Sequence, residues 1–190
     1  MNVPFVDDEV FEAKDFTSIS LQRAEYSYCT FRNCNFESSS ISQIIFDECE
    51  FENCNLSNVE TKNTSFRNCR FIGCKMLGFK FNECNAFLLS FTFSVCNLQF
   101  SSFHNLTIAK TYFMDCKLED VDFSDGQLNE AVFDLCNLRG ALFDGTNLMK
   151  ANFSTATNYS IDPENNKIQG AHFSKDGLSG LLDKYKLKIK

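Results

Sequence analysis

The stretch CNFESSSISQIIFDECEFENCNL, Cys34 to Leu56, opens and closes on nearly the same three residues. Cys34-Asn35-Phe36 returns twenty residues later as Cys54-Asn55-Leu56, and again as Cys96-Asn97-Leu98 and Cys136-Asn137-Leu138. A shorter clock runs inside it. Phe36, Ile41, Phe46, Phe51 and Leu56 stand five residues apart, with Cys34, Ser39, Cys49 and Cys54 two residues before four of them.

Working outward, the five-residue frame runs from Phe11 to Phe81, slips by two residues, and resumes from Leu88 to Phe153. Of its 29 sites, 28 are apolar or aromatic, Thr61 being the exception. At the chain's 44% hydrophobic content about 13 would be apolar by chance. Sixteen of the 22 phenylalanines lie on the frame. The residue two before each centre is usually small, and the other three are mostly Asn, Asp, Glu, Ser, Lys and Arg. Neither a helix of period 3.6 nor a long strand of period 2 gives a period of five. A coil with four short straight sides does. Each side turns one large and one small side chain inward, two apart as in a strand, and spends three polar residues outside and on the corner.

Ala151-Asn152-Phe153-Ser154-Thr155 and Cys136-Asn137-Leu138-Arg139-Gly140 resemble the motif of the pentapeptide-repeat family: small, Asn or Asp, Leu or Phe, polar, any. The resemblance covers about residues 11–158. It implies an all-β fold, a right-handed quadrilateral parallel β-helix with four pentapeptides per coil. A word then returns every twenty residues because the chain has returned to the same side. Seven or so coils about 4.8 Å apart make a rod of roughly 35 Å. Residues 1–10 are expected to cap its start and 159–190 its end.

The chain has 190 residues, enough for one domain with a substantial core. No apolar run is long enough to span a bilayer, and Met1–Phe16 lacks the basic start and apolar stretch of a signal peptide. A cytoplasmic protein is expected, with its ten cysteines mostly thiols. The net charge of −7 is uneven. Residues 1–60 hold 12 acidic and 3 basic side chains, 61–110 hold 1 and 6, and 111–190 hold 12 and 9. This balance does not make a general nucleic-acid binder.

All ten cysteines fall at the small inward position. Spacings of five and twenty in a dry core, with no histidine alongside, do not suit zinc. Stacked neighbours come within disulfide range, but a reducing compartment argues against a bridge. Space-filling thiols are expected. His104 and His172 sit beside core phenylalanines and so point outward, and no phosphate loop or catalytic triad is evident. Neither an enzyme nor a metal or other cofactor is indicated.

The pattern breaks twice. In Asn85–Val95, NAFLLSFTFSV, two extra residues enter between Phe81 and Leu88. Phe79, Phe91 and Leu106 occupy small positions, and Phe87 and Leu89 are expected off the core as a candidate partner spot. After Phe153 the motif decays. Ser174 then reads as the cap of a short helix over about 175–185, with Leu178, Leu181, Leu182 and Tyr185 on one apolar face. This end is a candidate cap and two-fold dimer contact, with the tail Lys186–Lys190 patterned as a charged edge strand. Thr61, the one polar centre, is expected to tolerate Val or Leu without loss.

A rod of this kind acts through its surface, and a protein-interaction rod of unassigned partner is the first reading. The resemblance also implies an alternative, since family members protect DNA gyrase from quinolones or toxins by mimicking DNA. The partner would then be gyrase or topoisomerase IV, met through Glu37, Asp47, Glu48, Glu50, Glu52 and Glu60 at outward positions. Carboxylates on one face would repeat about every 5 Å.

Overall fold

The structure, a computed structural model, describes residues 3–188. It is a right-handed four-sided parallel β-solenoid of about eight coils. Its strands in the first half of the chain are β1 (Phe5–Asp7), β2 (Val10–Glu12), β3 (Glu25–Ser27), β4 (Thr30–Arg32), β5 (Ile45–Asp47), β6 (Glu50–Glu52), β7 (Ser65–Arg67) and β8 (Cys69–Ile72). The second half adds β9 (Phe91–Ser94), β10 (Tyr112–Met114), β11 (Val132–Asp134), β12 (Asn152–Phe153) and β13 (His172–Phe173).

The strands β1, β3, β5 and β7 stack into one face, here the first. The strands β2, β4, β6, β8 and β9 to β13 form the second. All pairs are parallel, and most are in a twenty-residue register, as in Phe31 against Phe51. Single bridges build the other sides. Asp15, Asn35, Asn55, Lys75, Asn97, Lys117 and Asn137 stack on the third face, and Lys80, Ser102, Asp122 and Leu142 on the fourth. Pairing extends from Phe5 to Phe173, beyond the side-chain frame at both ends.

The corners explain the polar positions. Two residues after a centre the backbone turns left-handed, as at Asn33, Asn53, Asn58, Asn63, Asn68 and Asp120, with φ between 51° and 58°. Asn, Asp and Gly tolerate that region best. Gly73 sits at such a corner with φ 63°, and a Cβ there would also meet Asn53 Oδ1 of the preceding coil at 2.4 Å.

The Cys-Asn word has a hydrogen-bond meaning. Cys54 donates its S–H to the Phe31 carbonyl at 3.2 Å, while Asn55 Oδ1 accepts the Ser57 N–H at 3.2 Å. Cys34 with Asn35 and Cys96 with Asn97 repeat this pair of bonds. The inward small residue thus reaches the carbonyl of a centre on the neighbouring coil. Thr64, Ser101 and Thr146 do the same through hydroxyls to Ile41, Met76 and Phe123. The step back is 23 residues for Thr64 and Thr146 but 25 for Ser101 and Cys96, which counts the two inserted residues.

The core is a ladder of rings. Phe113 stacks on Phe93 at 5.2 Å and Phe133 at 5.1 Å, both nearly parallel, and meets Phe103 and Phe123 edge-on at 5.8 and 5.9 Å. Offset stacking along a column and edge contacts across it suit the ring quadrupole.

The slip departs from the expected frame. Asn85 keeps the old register, with its N–H on the Thr64 carbonyl at 2.8 Å and its Nδ2 on Ser65 Oγ at 3.1 Å. Leu88 therefore falls on a left-handed corner, φ 57°, and is 62% exposed rather than a core centre. The extra residues are Leu89 and Ser90, before β9, and Leu89 is half-buried against the core. Phe79 and Phe91 are buried, the Phe79 ring lying 6.2 Å from Phe66, the last ring before the place expected for Leu88.

One further expectation is corrected. Thr61 is fully buried, and its hydroxyl donates to the Lys80 carbonyl at 2.7 Å. The expected short C-terminal helical cap is present as two 3-10 turns, Leu178–Leu181 and Asp183–Tyr185. Gly180 explains the interruption: it is buried so tightly that a Cβ would meet the Tyr159 carbonyl oxygen at 2.1 Å. The close approach that docks this segment excludes a good helix former. Ser174 Oγ does accept the Gly177 N–H, at 3.0 Å. Lys186–Lys188 form no strand, and Ile189 and Lys190 lie outside the described residues.

Phe113→Ala is expected to cost about 3–5 kcal/mol, because stacked coils cannot collapse into the hole. Thr61→Val is expected to cost about 1 kcal/mol, the net worth of one hydrogen bond, since Glu83 still donates to the same carbonyl. Urea midpoints at unchanged slope measure both. A Thr61→Val protein as stable as wild type would show that the hydroxyl does not hold that carbonyl.

Candidate functional site

The chemistry-bearing small side chains are turned away from solvent. All ten cysteines are buried free thiols. Burial pushes the thiol of Cys49 up to about 12, and that of Cys69 well up. A thiolate there would have to leave water and give up its bond to a carbonyl. Among the described residues no group of three or more His, Cys, Asp or Glu is arranged for a metal ion. His104 and His172 are exposed, with the His104 ring 3.0 Å from Ser124 Oγ. No helix of the described residues is long and apolar enough to cross a membrane.

What remains is the outside of the four faces. The six carboxylates singled out in the sequence do not share one. Asp47 lies on the first face, Glu48 on the corner after it, Glu50 and Glu52 on the second, Glu37 on the third and Glu60 on the fourth. Two are neutralised by the coil next to them. Arg70 Nε donates to Glu50 at 2.6 Å, and Arg32 lies between Glu12 and Glu52 and pairs with both. Arg67 reaches Glu25 at 3.7 Å. The basic block of the sequence is scattered over the faces in the same way.

The carboxylates that do gather lie further along the chain. Asp122 and Asp144 stand on the fourth face, with Asp120 and Asp125 on the corners at either side. None of the four pairs with a lysine or arginine among the described residues, and Asp125 has only His104 at 3.9 Å. The signal for them was present in the sequence. It appears when residues are sorted by their place in the twenty-residue coil rather than by thirds of the chain.

The apolar candidates divide. Phe87 is 67% exposed, and Leu89 half-buried. At the C-terminal end only Leu181 packs against the core, while Leu178, Leu182 and Tyr185 are exposed. That end is tied down by charge as well. Lys184 bridges Asp162 at 2.7 Å and Glu164 at 2.5 Å, and Tyr185 donates to Glu164 at 3.0 Å. The bond from Lys184 holds both carboxyls below their usual range.

Comparison with known proteins agrees with this architecture. The family profile for pentapeptide repeats (8 copies) matches residues 49–85, and that for a pentapeptide repeat region matches 85–153. Together they span more than half of the chain. The chain belongs to the pentapeptide-repeat family. Solenoids of this family are typically structural or interaction proteins. No curated protein sequence matches it. Among solved structures it is similar to a trypsin-treated variant of QnrB1, a plasmid-mediated fluoroquinolone resistance protein. The two share 18% identity at a TM-score of 0.63, over 100% of this chain and 95% of that one. Full-length QnrB1 gives 14% identity and a TM-score of 0.58, over 96% of this chain and 100% of that one. HetL, a pentapeptide-repeat protein involved in heterocyst differentiation regulation in the cyanobacterium Nostoc, gives 14% and 0.58, over 90% and 86%. At these identities the likeness is one of fold.

The Asp162–Lys184–Glu164 cluster makes a pH prediction. Both carboxyl pKa values are lowered in the folded chain. Their stabilising contribution is therefore present above the ordinary carboxylate range and lost as pH falls through the lowered values. Amide exchange in Gly180–Lys186, corrected for intrinsic rate, is expected to speed up between pH 6 and pH 3 relative to that of the central coils. Equal changes in both regions would refute it.

Proposed function

We propose that the protein is a non-catalytic interaction rod that binds a protein partner through its outward faces. The observation that carries this reading is the division of chemistry between inside and outside. All ten thiols and the inward hydroxyls of Thr64, Ser101 and Thr146 are buried, these hydroxyls bonded to carbonyls, whereas the outward faces present ordered rows of charged and apolar side chains. The test is affinity capture from the source cell, using wild type beside a rod changed at outward residues only. A partner lost with an outward change, at unaltered circular dichroism, supports the reading. Measurable turnover that depends on a buried cysteine or threonine would overturn it.

A second reading is favoured by one cluster. Asp120, Asp122, Asp125 and Asp144 make a local acidic surface free of lysine and arginine partners among the described residues. The fold is also that of QnrB1, a fluoroquinolone resistance protein. A DNA-mimicking contact with gyrase or topoisomerase IV would use this surface, and would weaken steeply as salt rises. A supercoiling assay with purified gyrase, with and without a quinolone, measures it. The expected outcome is inhibition or drug protection at micromolar protein. Changing Asp122, Asp125 and Asp144 to Lys together should abolish the effect, and Glu50→Lys should not. No effect and no low-salt complex at tens of micromolar would rule this reading out.

The exposed Leu178, Leu182 and Tyr185 support a homodimer through the C-terminal end. Light scattering is expected to give a dimer for wild type and a monomer for Leu178→Ser with Leu182→Ser, both solvent-facing changes. A monomeric wild type at micromolar concentration refutes it.

A further inference from the structure

A shallow groove of about 620 Å³ runs along the corner between the second and third faces. Three features of it are not required by the fold. First, the corner column reads Asn33, Asn53, Gly73, Val95, Asp115, Leu135, all in left-handed backbone. Val95 and Leu135 are the wrong residues for such a corner, and a β-branched side chain is the worst. They are also 55% and 62% exposed, so their side chains gain little burial in return. Strain combined with exposed apolar surface suits a binding position. Tyr28, Leu88 and Phe100 show the same combination on other corners, so the groove is singled out by the two features that follow.

Second, Glu119 lines the same groove and is only 7% exposed. Its Oε1 accepts from Asn137 Nδ2 at 2.8 Å, but Oε2 is buried with no hydrogen-bond donor among the described residues. A buried carboxylate oxygen without a donor is costly, and the cost ends when a donor arrives. Third, the apolar pair and the carboxylate are in register. Val95 and Leu135 are two coils apart, about 10 Å, and Glu119 belongs to the coil between them.

We propose that this groove binds a protein segment carrying a guanidinium or ammonium group between two apolar side chains. The Glu119 carboxylate turns to bring its covered Oε2 to the cation, which donates to it, and the apolar side chains cover Val95 and Leu135. Lys75 and Lys117 also line the groove, exposed and without ion pairs among the described residues. Their ammonium groups can stay in water while the segment's backbone carbonyls pass beneath them. An acidic segment drawn to these two lysines is the competing occupant, but it would leave Glu119 Oε2 without a donor. The proposal deepens the interaction-rod reading and rests on it.

The probe is acetyl-Leu-Ser-Arg-Ser-Leu-amide, whose leucines and arginine point to one side of an extended chain, the leucines about 13 Å apart and within side-chain reach of Val95 and Leu135. It is titrated into the full chain while amide resonances are followed, beside peptides with citrulline or glutamate in place of arginine. Saturable shifts confined to Val95, Asp115, Glu119 and Leu135 are expected. Affinity should fall at least tenfold with citrulline and with Glu119→Gln. Val95→Asn is expected to raise the melting temperature, because Asn suits the left-handed corner, while weakening the peptide. Equal binding of the citrulline peptide, preference for the glutamate peptide, or shifts scattered over other faces would each overturn the assignment. So would absence of shifts at millimolar peptide. In that event capture of a partner through another face would still leave the interaction-rod reading in place.

Discussion

Everything in this molecule follows from stacking coils in parallel register about 4.8 Å apart. A residue's most important neighbour is its own equivalent twenty positions away. Phe meets Phe as a parallel ring, and thiols and hydroxyls reach carbonyls of the coil next door. Left-handed corners lie on left-handed corners, and charges meet charges. Like charges in one column repel at that spacing, so the chain alternates them, as in Glu12, Arg32, Glu52 and in Glu50, Arg70. The electrostatics of the rod is decided within columns.

This constraint separates what the sequence made legible from what it did not. The centres, the small inward residues and the ten buried cysteines depend only on local alternation, which a five-residue period reports directly. Thr61 looked like an error in that pattern. It is buried because its hydroxyl serves the Lys80 carbonyl where the chain enters a 3-10 turn, a contact between coils that spacing alone does not show. The insertion was countable but not placeable. Its position depends on whether Asn85 keeps its bonds to Thr64 and Ser65, and since it does, Leu88 and Leu89 exchange the roles expected of them.

The surface was less legible for the same reason. A face is assembled from residues twenty apart, so a block of acidic sequence such as Asp47–Glu60 wraps the whole rod. The carboxylates that do come together, Asp120, Asp122, Asp125 and Asp144, belong to a segment whose regional charge is diluted by the basic tail. The C-terminal cap is helical but not a regular helix. Leu178, Leu181, Leu182 and Tyr185 carry a helical spacing, but Gly180 must pass within contact of the Tyr159 backbone. Tertiary packing there outweighs periodicity: Leu181 packs inward, while Leu178, Leu182 and Tyr185 end on the outside.

A solenoid whose core is this repetitive leaves few ways to encode specificity. Changes at centres damage packing, and changes at small positions break bonds to the neighbouring coil. The corners and the outward positions are free to vary, but corners carry a conformational preference of their own. Where a corner holds Val95 or Leu135 in place of Asn or Gly, the chain keeps a residue that its own backbone disfavours. Exposed apolar side chains at such corners, beside a carboxylate oxygen without a donor, therefore carry more information about a partner than the rows of charge around them. Solvated charge costs the rod little, whereas strain and an unmet buried acceptor cost it stability unless a partner relieves them.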